Sequence, residues 1–116
     1  MPSYRTALWW YAQRVTGALL VPLLIAHFWV EHFRSMTLVR GDLSYEAIIG
    51  RIANPTWQAV DIAFLAIALI HGLNGVRTIV LDYGRVGPRA MRAVTTTLVA
   101  VGALWLWWGV QAFSRL

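Results

Sequence analysis

The chain has 116 residues, 59% hydrophobic and 13% charged, with a mean hydropathy of +0.58; a soluble domain carries roughly 25% charged residues, so this is the composition of a membrane protein. The apolar content excludes intrinsic disorder, and the absence of cysteine excludes a disulfide scaffold or a thiolate metal site. The net charge of +5 comes from ten arginines spread along the chain near the ends of apolar stretches, where they read as snorkelling anchors and not as a nucleic-acid surface.

The length leaves room for about three spans of ~20 residues and no water-soluble catalytic domain. The first ten residues lack the basic leader, short apolar core and small-residue cleavage site of a secretory signal, so the first apolar segment is expected to remain in the mature protein. Between Arg14 and Glu31 the chain carries no charge, and Trp9, Trp10 and Tyr11 extend this run towards the N-terminus; a span is predicted over about residues 12–33. Pro22 within it predicts a kink, tolerated in lipid where neighbouring helices satisfy the freed carbonyl. Arg34 to Asn54 reads as an interfacial loop in which Asp42 caps a short amphipathic turn carrying Leu43, Ala47, Ile48 and Ile49.

Asn54-Pro55 is a helix-start signal, with Trp57 just inside as an interfacial anchor, and the second span is predicted over 56–83. It holds Asp61, His71, Asn74 and Arg77, so it should face protein more than lipid. Gly84 to Arg92 reads as a basic turn broken by Gly87 and Pro88. The third span, about 92–114, is charge-free from Ala93 and ends in a belt of Trp105, Trp107 and Trp108. The predicted fold is thus an all-α membrane protein, one domain over 1–116 with three transmembrane helices. The N-terminal flank and the second turn hold six arginines and the other side four, which puts the N-terminus in the cytoplasm and the C-terminus in the periplasm.

Helical spacing places Gly75, Thr78 and Asp82 within about 40° of His71, with Asn74 at the edge of this polar stripe. A neutral imidazole near mid-span suits axial ligation of a haem, and equally suits a hydrogen bond to another helix. One histidine gives one axial ligand, so haem binding would require another subunit or His27. His27 lies four residues before Glu31, at a different depth; between Phe28 and Trp29 it reads as an interfacial residue ahead of a ligand to a second haem. His32 reads as solvated. At the end of span two, Tyr83 would donate a hydrogen bond to a quinone carbonyl, Asp82 would relay protons, and Arg14, expected at the same depth, would stabilise negative charge on the reduced quinone. The plainer alternative makes Tyr83 an anchor and pairs Asp82 with Arg85 or Arg77.

The run His71-Gly-Leu-Asn-Gly75-Val-Arg77-Thr-Ile-Val-Leu-Asp82-Tyr83 resembles the second-helix motif of the hydrophobic membrane-anchor subunits of succinate dehydrogenase, complex II. The resemblance implies that His71 is an axial ligand of haem b and that Gly75 accommodates the porphyrin. It also implies that Asp82-Tyr83 borders a ubiquinone or menaquinone site near the iron-sulfur subunit. Leu43-Ser44-Tyr45-Glu46 is similar to the Leu-Thr-Tyr-Glu segment of D-type anchors, whereas Gln13-Arg14-Val15-Thr16-Gly17 is similar to the His-Arg-x-Ser/Thr-Gly start of C-type anchors, with Gln in place of His. Arg77 is likewise similar to C-type chains; Asp82-Tyr83 and Tyr45-Glu46 favour the D type. The position of His27 resembles that of the outer-haem ligand of two-haem enzymes.

The implied protein is a multi-pass subunit of a bacterial inner membrane, packed with a sister C-type anchor into a haem-binding bundle. A flavoprotein oxidises succinate, the iron-sulfur subunit passes electrons on, and quinone is reduced where that subunit meets the anchors. This chain, inert alone, would dock the soluble subunits through Gly84 to Arg92. The competing class is a non-redox small membrane protein, a transporter or scaffold subunit using the polar stripe for proton or helix contacts.

Overall fold

In lipid every backbone N–H and C=O must find a partner within the protein, so each apolar run closes into one continuous helix. The computed structural model describes residues 4–29 and 45–116, and among them four helices: α1 (Tyr4–Phe28), α2 (Tyr45–Ile52), α3 (Pro55–Tyr83) and α4 (Pro88–Ser114). Three are long and apolar enough to cross a membrane, over Ala7–Phe28, Pro55–Tyr83 and Pro88–Ser114. The short helix α2 falls where an amphipathic turn is expected; its predicted Asp42 cap lies outside the described residues, as do Glu31, His32 and the predicted end of span one.

Two helix starts differ from the predicted spans. α1 begins at Tyr4, two turns before residue 12, because hydropathy marks the lipid-buried part of a helix while Arg, Ala and Leu carry the helix on through the interface. α4 begins at Pro88 and so absorbs most of the expected basic turn. Pro88 does not break a helix here but occupies its first turn, where a missing N–H costs nothing, and Met91 N donates to the carbonyl of Gly87 at 2.9 Å. At the start of α3 the predicted cap is present, with the Asn54 side chain accepting from Thr56 N at 3.0 Å. At its end Gly84 N donates to the Val80 carbonyl, and the left-handed residue that follows is Arg85, with φ of 47°. α1 continues through Pro22 as helix.

α3 is the central element, with α1 and α4 packed along it. Between α3 and α4 the backbones approach at Gly102 and Gly109, which share a helix face. A Cβ on Gly102 would stand 2.7 Å from Leu73 Cδ1, and one on Gly109 would meet Leu65 Cδ2. This is small-residue packing, in which close van der Waals contact replaces the hydrophobic drive that lipid removes. The burial pattern is inverted relative to a soluble domain: of three buried residues among those described, Thr16 (8% exposed) and Asn74 (4%) are polar, and Met91 is the third. Large apolar side chains such as Val21, Ile25, Val99 and Trp107 face outward.

Candidate functional site

The polar stripe of α3 is turned against α1, and the residues that receive it are Trp9, Gln13, Thr16 and Gly17. His71 Nδ1 lies 3.2 Å from the backbone carbonyl of Gln13 and 3.2 Å from Thr16 Oγ1. Thr16 already donates its hydroxyl to the Ala12 carbonyl at 2.6 Å, and a carbonyl can only accept, so the proton of the ring sits on Nδ1. Nε2 then keeps its lone pair, and faces the Gln13 side-chain amide nitrogen at 3.5 Å, the outer limit of a hydrogen bond. Asn74, one turn along, donates from Nδ2 to the Trp9 carbonyl at 3.1 Å and to Gln13 Oε1 at 2.8 Å, while its own Oδ1 is buried without a partner.

Both glycines of the seam make room for these side chains. A Cβ on Gly17 would stand 3.1 Å from His71 Cε1, and one on Gly75 would stand 3.4 Å from Gln13 Nε2. The stripe predicted on α3 is therefore one surface of an α1–α3 seam, and Gly75 faces Gln13 across it.

Towards the opposite end of the same seam, His27 Nδ1 lies 3.3 Å from Asp61 Oδ1, and the His27 ring stacks on Phe64 with centroids 5.2 Å apart. The antiparallel register sets His27 level with Asp61, about 15 Å along the axis from His71. A joint signal for this pair exists in the sequence: His27 is near the end of one span and Asp61 near the start of the next, so antiparallel packing of consecutive spans brings them level.

At the basic end, Asp82 and Tyr83 close α3 and are both exposed, Tyr83 at 81%. Among the described residues Asp82 pairs with neither Arg85 nor Arg77. Arg77 instead donates from Nε to Thr95 Oγ1 on α4 at 3.1 Å and lays its guanidinium over the Trp9 ring of α1, 5.0 Å from the centroid. Arg14 rests over Trp10 at 4.1 Å. The contacts of Gln13 and Thr16 with His71 place Arg14 near the level of His71, about 16 Å deeper than Asp82, so the structure does not bring Arg14 to Asp82 and Tyr83. The equal depth expected of them fails because the register of α1 against α3 sets residues 13–16 beside His71 and not beside Asp82.

These features define a three-helix membrane protein with a hydrogen-bonded polar seam between its first two spans. Residues 2–110 match the family described as succinate dehydrogenase/fumarate reductase transmembrane subunit, and the chain belongs to that family. It is 34% identical over 89 residues to the succinate dehydrogenase hydrophobic membrane anchor subunit of Archaeoglobus fulgidus, spanning 75% of this chain and 73% of the relative. The subunit of the same name from Thermoplasma acidophilum is 29% identical, over 85% of this chain and 77% of the relative. Succinate dehydrogenase 2 membrane subunit SdhC of Mycobacterium tuberculosis is 27% identical, over 84% and 66% respectively. The chain is thus a membrane-anchor subunit of the complex II family, part of an enzyme complex and not a catalyst alone.

Proposed function

We propose that this chain is the D-type anchor of a succinate:quinone oxidoreductase, that His71 ligates haem b, and that Asp82 and Tyr83 border the quinone-reduction site. The observation that carries the haem reading is the fixed ring of His71. With Nδ1–H held by the Gln13 carbonyl and Thr16, Nε2 presents the lone pair that an axial ligand needs. The donor set agrees with a porphyrin more than with a bare ion. No group of three or more His, Cys, Asp or Glu lies together among the described residues, and a porphyrin brings four of the iron's ligands itself. The second axial ligand would come from the sister C-type anchor.

Arg14, near the level of His71 and with no carboxylate beside it among the described residues, suits the cofactor's carboxylates better than the quinone. Gly75 keeps the seam thin one turn from the ligand. A haem bound there supplies a one-electron store between the iron-sulfur subunit and quinone. Tyr83 offers a hydroxyl donor to a quinone carbonyl, Asp82 moves a proton at its carboxylate, and the turn at residues 84–87 meets the iron-sulfur subunit that the flavoprotein supplies with electrons. His27, with Nδ1 on Asp61, has Nε2 to offer a second haem on the opposite side. The complex lies in the bacterial inner membrane with its basic end in the cytoplasm.

A second reading is favoured by the Gln13 amide beside Nε2, which makes His71 a purely structural link between α1 and α3. A reduced-minus-oxidised spectrum with haem quantitation on the purified complex separates them. Loss of haem in His71→Ala supports ligation, and a further, separate loss in His27→Ala supports a second haem. A colourless wild-type complex sinks the haem reading. For the quinone site, Tyr83→Phe should lower quinone reduction severalfold while sparing succinate oxidation with an artificial acceptor, and equal loss of both would refute it.

A further inference from the structure

The face of α3 that looks away from His71 forms the floor of an open cavity of about 310 Å³ between α3 and α4. Ala66, Leu69 and Leu73 line it from α3, and Leu98, Val99 and Leu106 from α4; its polar residues, Asn74, Arg77 and Thr95, gather at the basic end beside Trp9. We propose that this groove seats one acyl chain of an anionic phospholipid from the leaflet at the basic end, with the lipid phosphate held by Arg77 and Arg92.

Length and depth select this occupant. From Arg77 to Ala66 the groove runs about 16 Å along α3, which matches half of a hydrocarbon core ~30 Å thick. α3 has 29 residues and is about 43 Å long, so with its middle at Leu69 in the bilayer centre, Arg77 lies about 3 Å inside the hydrocarbon boundary. An arginine there reaches the phosphate level by extending its side chain, and the groove below it ends near the midplane, where one leaflet's chains end.

Charge selects it as well. Arg77 donates Nε to Thr95 and rests the face of its guanidinium against the Trp9 ring, which leaves the in-plane N–H groups of its terminal nitrogens to a ligand, and no carboxylate lies within ion-pair distance of it among the described residues. Its terminal nitrogens form the planar fork that matches a phosphate. Arg92 is exposed, one turn before Thr95 on α4, and helical spacing puts it within about 20° of the groove residue Val99. Asp82, by the same spacing, lies about 140° around α3 from Arg77. Arg77 therefore stands at the mouth, Arg92 lies about one turn beyond it along α4, and the lining from Leu73 to Ala66 is apolar, which is the pattern of a head-and-tail anion.

The test uses the purified intact complex exchanged into nanodiscs of phosphatidylglycerol and phosphatidylcholine, released under native mass spectrometry, with bound lipid counted by extraction. The wild type should retain phosphatidylglycerol selectively. Arg77→Gln and Arg92→Gln should each lower the preference for phosphatidylglycerol about fivefold, the contribution of one arginine near a membrane surface. Ala103→Phe, which fills the groove from α4 without touching either arginine, should release both lipids. Retention of no lipid, retention indifferent to all three variants, a co-purifying quinone in place of phospholipid, or cross-linking of Ala103 to a helix of another subunit would each overturn the proposal.

Discussion

Gln13→Leu separates the two tasks of the α1–α3 seam. The substitution deletes the Oε1 acceptor of Asn74 Nδ2 at 2.8 Å and the 3.5 Å approach to His71 Nε2, but leaves the Gln13 backbone carbonyl in place. Asn74 Nδ2 keeps the Trp9 carbonyl, so no donor is stranded. An interhelical hydrogen bond in a membrane averages about 0.6 kcal/mol with a maximum near 1.7, and the 3.5 Å contact adds little; the expected loss is about 1 kcal/mol. Equilibrium unfolding in mixed detergent micelles would measure it. A double-mutant cycle with Asn74→Leu should return a coupling of about 0.6–1.7 kcal/mol. Haem content should stay at the wild-type level, because Nδ1 is still oriented by the Gln13 carbonyl and Thr16. A loss above about 3 kcal/mol, zero coupling, or loss of haem would refute this account of the seam.

Gly102→Leu should drive a side chain into Leu73 and separate α4 from α3, costing about 1–3 kcal/mol in the same unfolding assay. Asp61→Leu leaves His27 Nδ1 without its partner and should cost about 1–3 kcal/mol, whereas Asp61→Asn, which keeps an acceptor oxygen, should restore most of the stability. Arg85→Gly should raise stability by about 1 kcal/mol, since the residue at φ of 47° bears a Cβ that the left-handed conformation disfavours; an unchanged midpoint would mean that the turn relaxes without strain.

The spans and the polar stripe were legible because each rests on a periodic or compositional signal. Apolar length marks a crossing, Asn54-Pro55 marks a start, and residues spaced by three and four share a face. Helix ends were less legible, since nothing in hydropathy distinguishes Arg5 or Arg89 in a loop from the same residue in a helical turn outside the hydrocarbon. The partners of the stripe were illegible for a related reason. That His71 meets Gln13 and Thr16, or that Arg77 chooses Thr95 and Trp9 over Asp82, depends on the axial register of neighbouring helices, which neither hydropathy nor periodicity within one helix specifies.

The same register bears on how the chain enters the membrane. α3 carries Asp61, His71, Asn74 and Arg77 into the bilayer; a charged residue at the very centre of an isolated helix costs about 2.5–3.5 kcal/mol on insertion scales, and Asp61 and Arg77, each eight residues from the middle of α3, bear part of that cost. Each of those four side chains is received in part by α1, through His27, Thr16, Gln13 and Trp9. Pairing with α1 therefore lowers the cost of holding α3 in lipid, and the two spans are expected to settle there as a hairpin with the polar seam inside.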